Sequence, residues 1–511
     1  MPDSANPPIQ SKTWKPRDKD KKTYGHFDRR ISDDELISLT NNPTKVAQHP
    51  FFPLLLFYEE WTKFRDGNGP TKKKIRPIRY AARSDAAIYA KYRADLSVKY
   101  EAELRKRGIE TIPTAYRAIP NSKKTDGNKS NIDFAYDAFS EIKKMRNCVV
   151  TIVDIASYFE SIDHIIIRKN WELLIGRNLP PDHEAVYKSI TRYAVVDYEK
   201  AFERLELRNK NDRGTRKFKR QRKIDTQRSN GHVQFCSMKD FRDKICGSDK
   251  SYKSLVVTNG RNFGIPQGTP ISDLIANFYL LDFDVLVNNW VKSRNGVYFR
   301  YSDDLIIILP QSKCDDLHIA KDFLQANITK FGERLKIQDK KVVVGVFEHS
   351  NNEQSYRRFF GTASRNGLEY LGFSYDGRIV SLKDATLSNA WRKFHKRSYG
   401  YAWRYGKRYR DKGETWIREN YPHEWLLKKI IQNVSYSQDT GPESWTFLRY
   451  VSRARKKFEG FHTNFSTQTR NYRRNAAKNI DEDLNKAINR HLLVRLVFKY
   501  PPLTSSLLEH P

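Results

Sequence analysis

The sequence is short of cysteine, of long apolar runs and of acidic residues. Its 511 residues hold four cysteines, Cys148, Cys236, Cys246 and Cys314, and no two form a C-x-x-C pair. That spacing indicates neither a disulfide framework nor a zinc site, and a reducing cytoplasm is the expected compartment. The most apolar stretches, such as FFPLLLFY at 51–58, fall far short of the roughly 20 residues a membrane helix needs. The opening MPDSANPPIQSK is polar and has no apolar centre of a signal peptide, so no membrane association is expected. Acidic residues number 60 against 93 Lys and Arg, a net charge of +33. An excess of that size repels itself in an isolated globule and fits a polyanionic partner, of which nucleic acid is the obvious one.

What is present divides into segments of different character. Residues 1–65 read as a flexible arm that turns helical around PLLLFYEEWTKF, and RDGNGPTKKK at 65–74 reads as a boundary. Residues 84–107 carry helical periodicity behind an Asp-bearing start, and a second helix is expected near 134–145. NCVVTIVDIASYF, 147–159, is a β-branched run ending at an acid, which predicts a buried strand. NKNDRGTRKFKRQRKIDTQR, 209–228, is the densest basic stretch and has no apolar period. VYFRYSDDLIIILP predicts two strands joined at an acidic pair, entered through a turn at Asn295 and Gly296. Beyond about residue 389 the chain is helical, aromatic and basic. With 511 residues, two or more lobes are expected.

RYSDDLIII, 300–308, poses the functional question. Alone, two acids before four aliphatic residues describe a turn between buried strands. Asp154 ends a second apolar strand in the same manner. Three acids converging on one point repel each other unless a cation joins them, and Mg²⁺ is the hard, oxygen-seeking choice. Two such ions suit an in-line phosphoryl displacement, the chemistry of a nucleic-acid polymerase.

VVTIVDIASYFESIDH (149–164) resembles the first palm motif of reverse transcriptases, and RYSDDLIII resembles their Tyr-x-Asp-Asp motif. Between them FGIPQGTPISDLIANFYLLDFD (263–284) is similar to the Pro-Gln-Gly segment and the long helix that follows it. ERLKIQDKKVV and YLGFSYDG are similar to the lysine-bearing and primer-grip motifs. HFD at 26–28, KIRPIRYAARSDAAIYAKY and AYRAIPNSKKTDGNKSNIDFAYDAF are similar to bacterial reverse transcriptases of the unknown-group, abortive-infection and defence-associated kind. The finger motif, and the lack of zinc-nuclease, RNase H or integrase patterns, argue against intron and retroviral relatives.

The resemblance implies an α+β right-hand polymerase. Its parts would be an N-terminal extension (1–65), fingers (66–148), a palm with an antiparallel, RRM- or ferredoxin-like sheet (149–378, finger insertion about 165–260) and a helical basic thumb (379–511). It implies RNA-directed DNA synthesis from dNTPs with two Mg²⁺ ions, or Mn²⁺ in their place. Antiphage defence with a non-coding RNA as template or scaffold, an RNA–DNA or DNA duplex product, and a homo-oligomer are implied too. Template-independent or protein-primed synthesis and a catalytically idle RNA-binding scaffold remain open.

Residue by residue, the resemblance assigns metal binding to Asp154 and Asp303, with Asp304 completing the cluster and the Ile155 carbonyl as a further ligand. Asp163 and His164 read as a helix-entry pair. Phe159 falls at the sugar gate, against which stands plain core packing, with Tyr158 suited to either face. Gln267 would lie beneath the incoming nucleotide, or be a turn glutamine. Lys74, Arg76 and Arg117 are candidates for the triphosphate, or a solvated basic surface. Lys341, or its neighbour Lys340, would protonate pyrophosphate. YLGF at 370–373 would form the primer grip. WRKFHKRSYGYAWRYGKRYR at 391–410 interleaves rings with cations, suiting a grip on the template and primer duplex, and 213–223 suits a partner RNA or template strand.

Overall fold

The computed structural model describes residues 13–22, 24–62, 73–121, 127–207, 234–361, 367–433 and 447–499. The architecture is mixed α+β. The chain forms two compact units, one of residues 1–119, 148–344 and 359–362, the other of 120–147, 345–358 and 363–511. Residues 1–119 thus share a unit with 148–344.

In the first unit, β1 (Leu54–Thr62) and β2 (Lys73–Tyr80) form an antiparallel pair, Leu55 opposite Tyr80 through to Thr62 opposite Lys73. Most of the stretch expected to be a boundary lies between the paired strands, and residues 63–72 lie outside the described residues. The helix expected around PLLLFYEEWTKF is instead β1. Adjacent Leu54 and Leu55 are both buried, but in two different apolar clusters, which requires successive side chains to point to opposite faces.

Three further strands position the site. They are β3 (Cys148–Asp154), β6 (Val297–Tyr301) and β7 (Asp304–Pro310), where β4 (Ala194–Asp197) and β5 (Val256–Thr258) extend the β1–β2 sheet in the order β2-β1-β4-β5. β7 pairs antiparallel with both β3 and β6. Leu305 to Leu309 are at most 1% exposed, which explains their unbroken aliphatic run. Gly296, ahead of β6, has no room for a Cβ, which would stand 2.5 Å from a Leu309 methyl and 2.7 Å from the Ile308 carbonyl. The helix Arg83–Lys106 turns Tyr89, Tyr92, Leu96, Tyr100 and Leu104 into the same core. The single long helix expected after the Pro-Gln-Gly segment is two, Ser272–Tyr279 and Leu281–Lys292, broken at Leu280.

The central polar contact of this unit is wholly buried. Arg300 on β6 and Asp284 are both 0% exposed and meet at 2.6 Å, with a second guanidinium nitrogen donating at 2.8 Å and the Tyr298 hydroxyl at 2.9 Å. Arg300 also donates to the Asn277 and Ser302 carbonyls, both at 3.2 Å.

In the second unit, Leu368–Tyr370, Phe373–Tyr375 and Ile379–Leu382 form a small antiparallel sheet. The helix Asp384–Arg408 buries Ala390, Phe394, Ser398, Ala402 and Gly406, every fourth residue, and packs on the helix Tyr472–Lys499. No helix among the described residues is long and apolar enough to cross a membrane.

Removing one partner of a buried, hydrogen-bonded ion pair strands the other charge. Arg300→Met should therefore cost about 3–5 kcal/mol of stability. Arg300→Met combined with Asp284→Leu should cost less, as read from urea midpoints of the whole chain.

Candidate active site

The pairing of β3 with β7 sets Asp154 directly opposite Asp304, and the pairing of β6 with β7 sets Tyr301 opposite Asp304. Ser302 and Asp303 are thus a two-residue hairpin turn, with Ser302 at φ +62°. The Ile155 N–H donates to the Asp303 carbonyl at 3.0 Å, drawing the turn against the end of β3.

Asp303 lies close enough to Asp154 for the two charges to interact. Burial holds the Asp303 proton above the usual carboxylate range, and the Asp154 charge raises it further, against the opposing effect of Lys341. The Lys341 ammonium lies 2.7 Å from Asp154 Oδ2, so Lys341 is a lysine that reaches the pair. Asp304 sits on the strand beside Tyr301, whose phenol its charge helps to raise after burial and Tyr116. No group of three His, Cys, Asp or Glu side chains among the described residues is disposed to hold a metal. The register sets Asp154 against Asp304, while the electrostatic coupling runs between Asp154 and Asp303 in the turn. Two hard carboxylates in mutual repulsion still fit Mg²⁺, which commonly takes one or two carboxylates and completes its shell with substrate phosphates and water. The Ile155 carbonyl is at the same strand end.

Beyond β3 the chain makes a sharp entry into the short helix Tyr158–Ser161, with Ser157 at φ +48°. The structure separates the two rings there. Tyr158 is buried and its hydroxyl donates to the Ala276 carbonyl, whereas Phe159 is half-buried at the core's edge. Asp163 caps the next helix by accepting from the Ile165 and Ile166 N–H groups, and His164 is buried against the Gly264 carbonyl at 2.8 Å.

The IPQGTP loop docks on β2. The Arg79 N–H donates to the Gln267 carbonyl at 2.8 Å, and a Cβ on Gly268, at φ +118°, would stand 2.6 Å from the Arg79 carbonyl. Glycine is thus demanded twice, by conformation and by space. The Arg79 side chain, which sequence reasoning passed over, pairs with Glu160 at 2.6 Å and lies over the Tyr193 ring. That pair ties β2 to the residue after Phe159.

The remaining candidates scatter. Arg76 is exposed on β2, and the Lys74 side chain lies outside the described residues. Arg117 is committed internally, 2.6 Å from Glu101 and donating to the Glu110 and Pro113 carbonyls, so its reading as a triphosphate ligand is withdrawn. Residues 213–223 also lie outside the described residues. In the second unit, YLGF forms a tight hairpin, Tyr370 opposite Phe373, with Leu371 and Gly372 at positive φ. On the helix Asp384–Arg408, Arg392, Lys396, Arg404 and Arg408 are exposed, each two positions past a buried residue, which places them on the face away from the helix partner.

The fold and site together define a two-carboxylate centre at the end of an antiparallel sheet. No family model matches the chain, and none of the curated proteins matches it. Among solved structures it is similar to apo telomerase from Candida tropicalis truncated from the C-terminal domain, at 10% identity and TM-score 0.35, covering 66% of this chain and 58% of that one. Apo telomerase from the same organism gives 13% identity and TM-score 0.35, covering 89% and 66%. Candida albicans telomerase in complex with a TWJ fragment of telomeric RNA gives 10% identity and TM-score 0.31, covering 87% and 64%. The chain thus spans about three-fifths of the length of the first of these telomerases.

A carboxyl whose proton is held more tightly in the folded than in the unfolded chain favours folding at low pH. That contribution is lost as pH rises from the ordinary carboxylate range through the raised value. In a chelator-containing buffer, Asp303→Asn should therefore raise the melting temperature at pH 7 and change it little near about pH 4. Equal melting of the two proteins at pH 7 would contradict the assignment.

Proposed function

We propose that the chain is an RNA-directed DNA polymerase, adding dNTPs to a 3′-hydroxyl at the centre formed by Asp154 and Asp303. The observation that carries this reading is the meeting of those two carboxylates at one strand end, with Lys341 on Asp154. Motif resemblance adds the setting, antiphage defence with a bound non-coding RNA.

Asp154 and Asp303 would hold Mg²⁺, with the Ile155 carbonyl and Asp304 as the further ligands the motifs suggest. When bound, the metal supplies charge stabilisation at the phosphoryl oxygens and a lowered pKa for the attacking hydroxyl. The chain's own groups do the rest. Lys341, 44% exposed, has an ammonium that can reach solvent and donate a proton to departing pyrophosphate. The half-buried Phe159 ring would stand against a ribose 2′-hydroxyl and so select dNTPs. Gln267, fixed through its carbonyl, would lie beneath the incoming nucleotide, and Arg76 would offer charge to the triphosphate. The exposed cations of the helix Asp384–Arg408 neutralise phosphates of a bound duplex or RNA.

One observation favours a second reading, an idle RNA-binding scaffold. Lys341 already neutralises Asp154 with the chain's own cation.

The two readings part on dNTP incorporation by the chain purified with its copurifying RNA. Asp303→Asn should lower incorporation by roughly 10²–10³-fold or more, the cost of losing a principal electrostatic group. Equal activity of variant and wild type would end the polymerase reading. In the same assay Phe159→Ala should admit rNTPs, and unchanged discrimination would remove the gate role.

A further inference from the structure

We infer that Tyr116 is a nucleobase platform of this site, a ring on which the base of the incoming dNTP stacks. The inference rests on the polymerase reading above and adds a specificity-determining residue to it.

The placement follows from the chain path. Pro113 forms a parallel bridge with Arg300, so residues 113–116 run alongside 300–303 and deliver Tyr116 to the level of the hairpin turn. The loop is fastened at every residue. The Arg300 N–H donates to the Ile112 carbonyl at 2.9 Å, and the Thr114 N–H and hydroxyl donate to the Arg300 carbonyl at 2.8 and 3.1 Å. The Asn277 amide donates to the Ala115 carbonyl at 2.7 Å. The Tyr116 carbonyl accepts from Arg93 at 3.0 Å, and Arg93 is itself held by Asp273 at 2.9 Å. Arg117, clamped to Glu101, closes the far side.

So many fastenings hold Tyr116 in a conformation it would not choose. Its φ is +61°, where a bulky residue without special cause is an outlier. Strain of this kind persists only where the surroundings over-determine it, and it concentrates at ligand sites. A core aromatic would be forced into strain by packing on all sides, yet Tyr116 remains 46% exposed. Its hydroxyl end is nevertheless among the site's groups. Burial raises the phenol's pKa, Ser302 and Arg76 oppose the rise, and Asp303 and Asp273 add to it. The phenol therefore meets Ser302 in the hairpin turn and lies within electrostatic reach of Asp303 and Arg76. A flat apolar face fixed at that position suits a nucleobase, and stacking there tolerates any base because every base has a π-face.

The test separates ring from hydroxyl and stacking from folding. Tyr116→Phe should leave the KM for dNTPs within about two-fold, because the stacking face is intact. Tyr116→Ala and Tyr116→Leu should raise it by roughly ten-fold or more for dATP and dGTP, less for dCTP and dTTP, with kcat changed far less. The larger purine face is what a merely structural role would not register. An unchanged KM in both variants, or an equal rise for all four nucleotides, would overturn the inference while leaving the polymerase reading intact. Where wild type incorporates no dNTP, the polymerase reading falls. The platform is then read by fluorescence of 2-aminopurine deoxyriboside triphosphate: quenching by wild type that Tyr116→Leu abolishes supports it, and equal quenching overturns it. A melting temperature matching wild type shows that each variant has folded.

Discussion

The buried ion pair between Arg300 and Asp284 is the constraint on which the site depends. A guanidinium with no exposure is tolerated only when its donors are satisfied, and this one is shared among a carboxylate and two main-chain carbonyls. The pair fixes the end of β6, and everything at the hairpin tip inherits that position. The Arg300 main chain carries the loop that bears Tyr116, and its side chain reaches the Ser302 carbonyl within the turn. An Asp303 carboxylate is thus delivered to one place without itself being needed to hold the strand.

The second constraint is electrostatic. The turn, drawn to the end of β3 by the Ile155 N–H, holds Asp303 near Asp154; burial raises its carboxyl's pKa and the Asp154 charge adds to the cost. Lys341 offsets part of that repulsion from Asp154's side. Under the proposed polymerase reading, a cation with hard oxygen preferences would relieve that repulsion. The backbone takes positive φ at Ser157, Ser302, Gly268 and Tyr116, in the turns that follow β3, join β6 to β7, dock on β2 and run beside Arg300.

Much of this was legible in the amino-acid sequence, for reasons that differ by element. The strands at 148–154 and 304–310 announce themselves by β-branched runs that end at acids, and the helix at 83–106 by its periodicity. IPQGTP is legible because glycine and proline carry backbone meaning without any partner. β1 was misread as a helix since it buries Leu54 and Leu55 on opposite faces and so shows no alternation. Arg300 and Arg117 were illegible in a different way. Arginine in a basic chain reads as surface, and only tertiary partners, Asp284 and Glu101, reveal that both are internal. The same applies to Tyr116, whose significance lies in a backbone angle and a neighbouring strand, neither of which a sequence prints.

The central claim is that Asp154 and Asp303 are the principal ligands of the proposed cation site, with Asp304 contributing less. Manganese binding followed by electron paramagnetic resonance, on the whole chain stripped of metal, tests it most directly. The account predicts that wild type binds Mn²⁺, that Asp154→Asn and Asp303→Asn each weaken binding strongly, and that Asp304→Asn retains most of it. Loss in Asp304→Asn equal to that in Asp303→Asn, with Asp154→Asn unaffected, would contradict it.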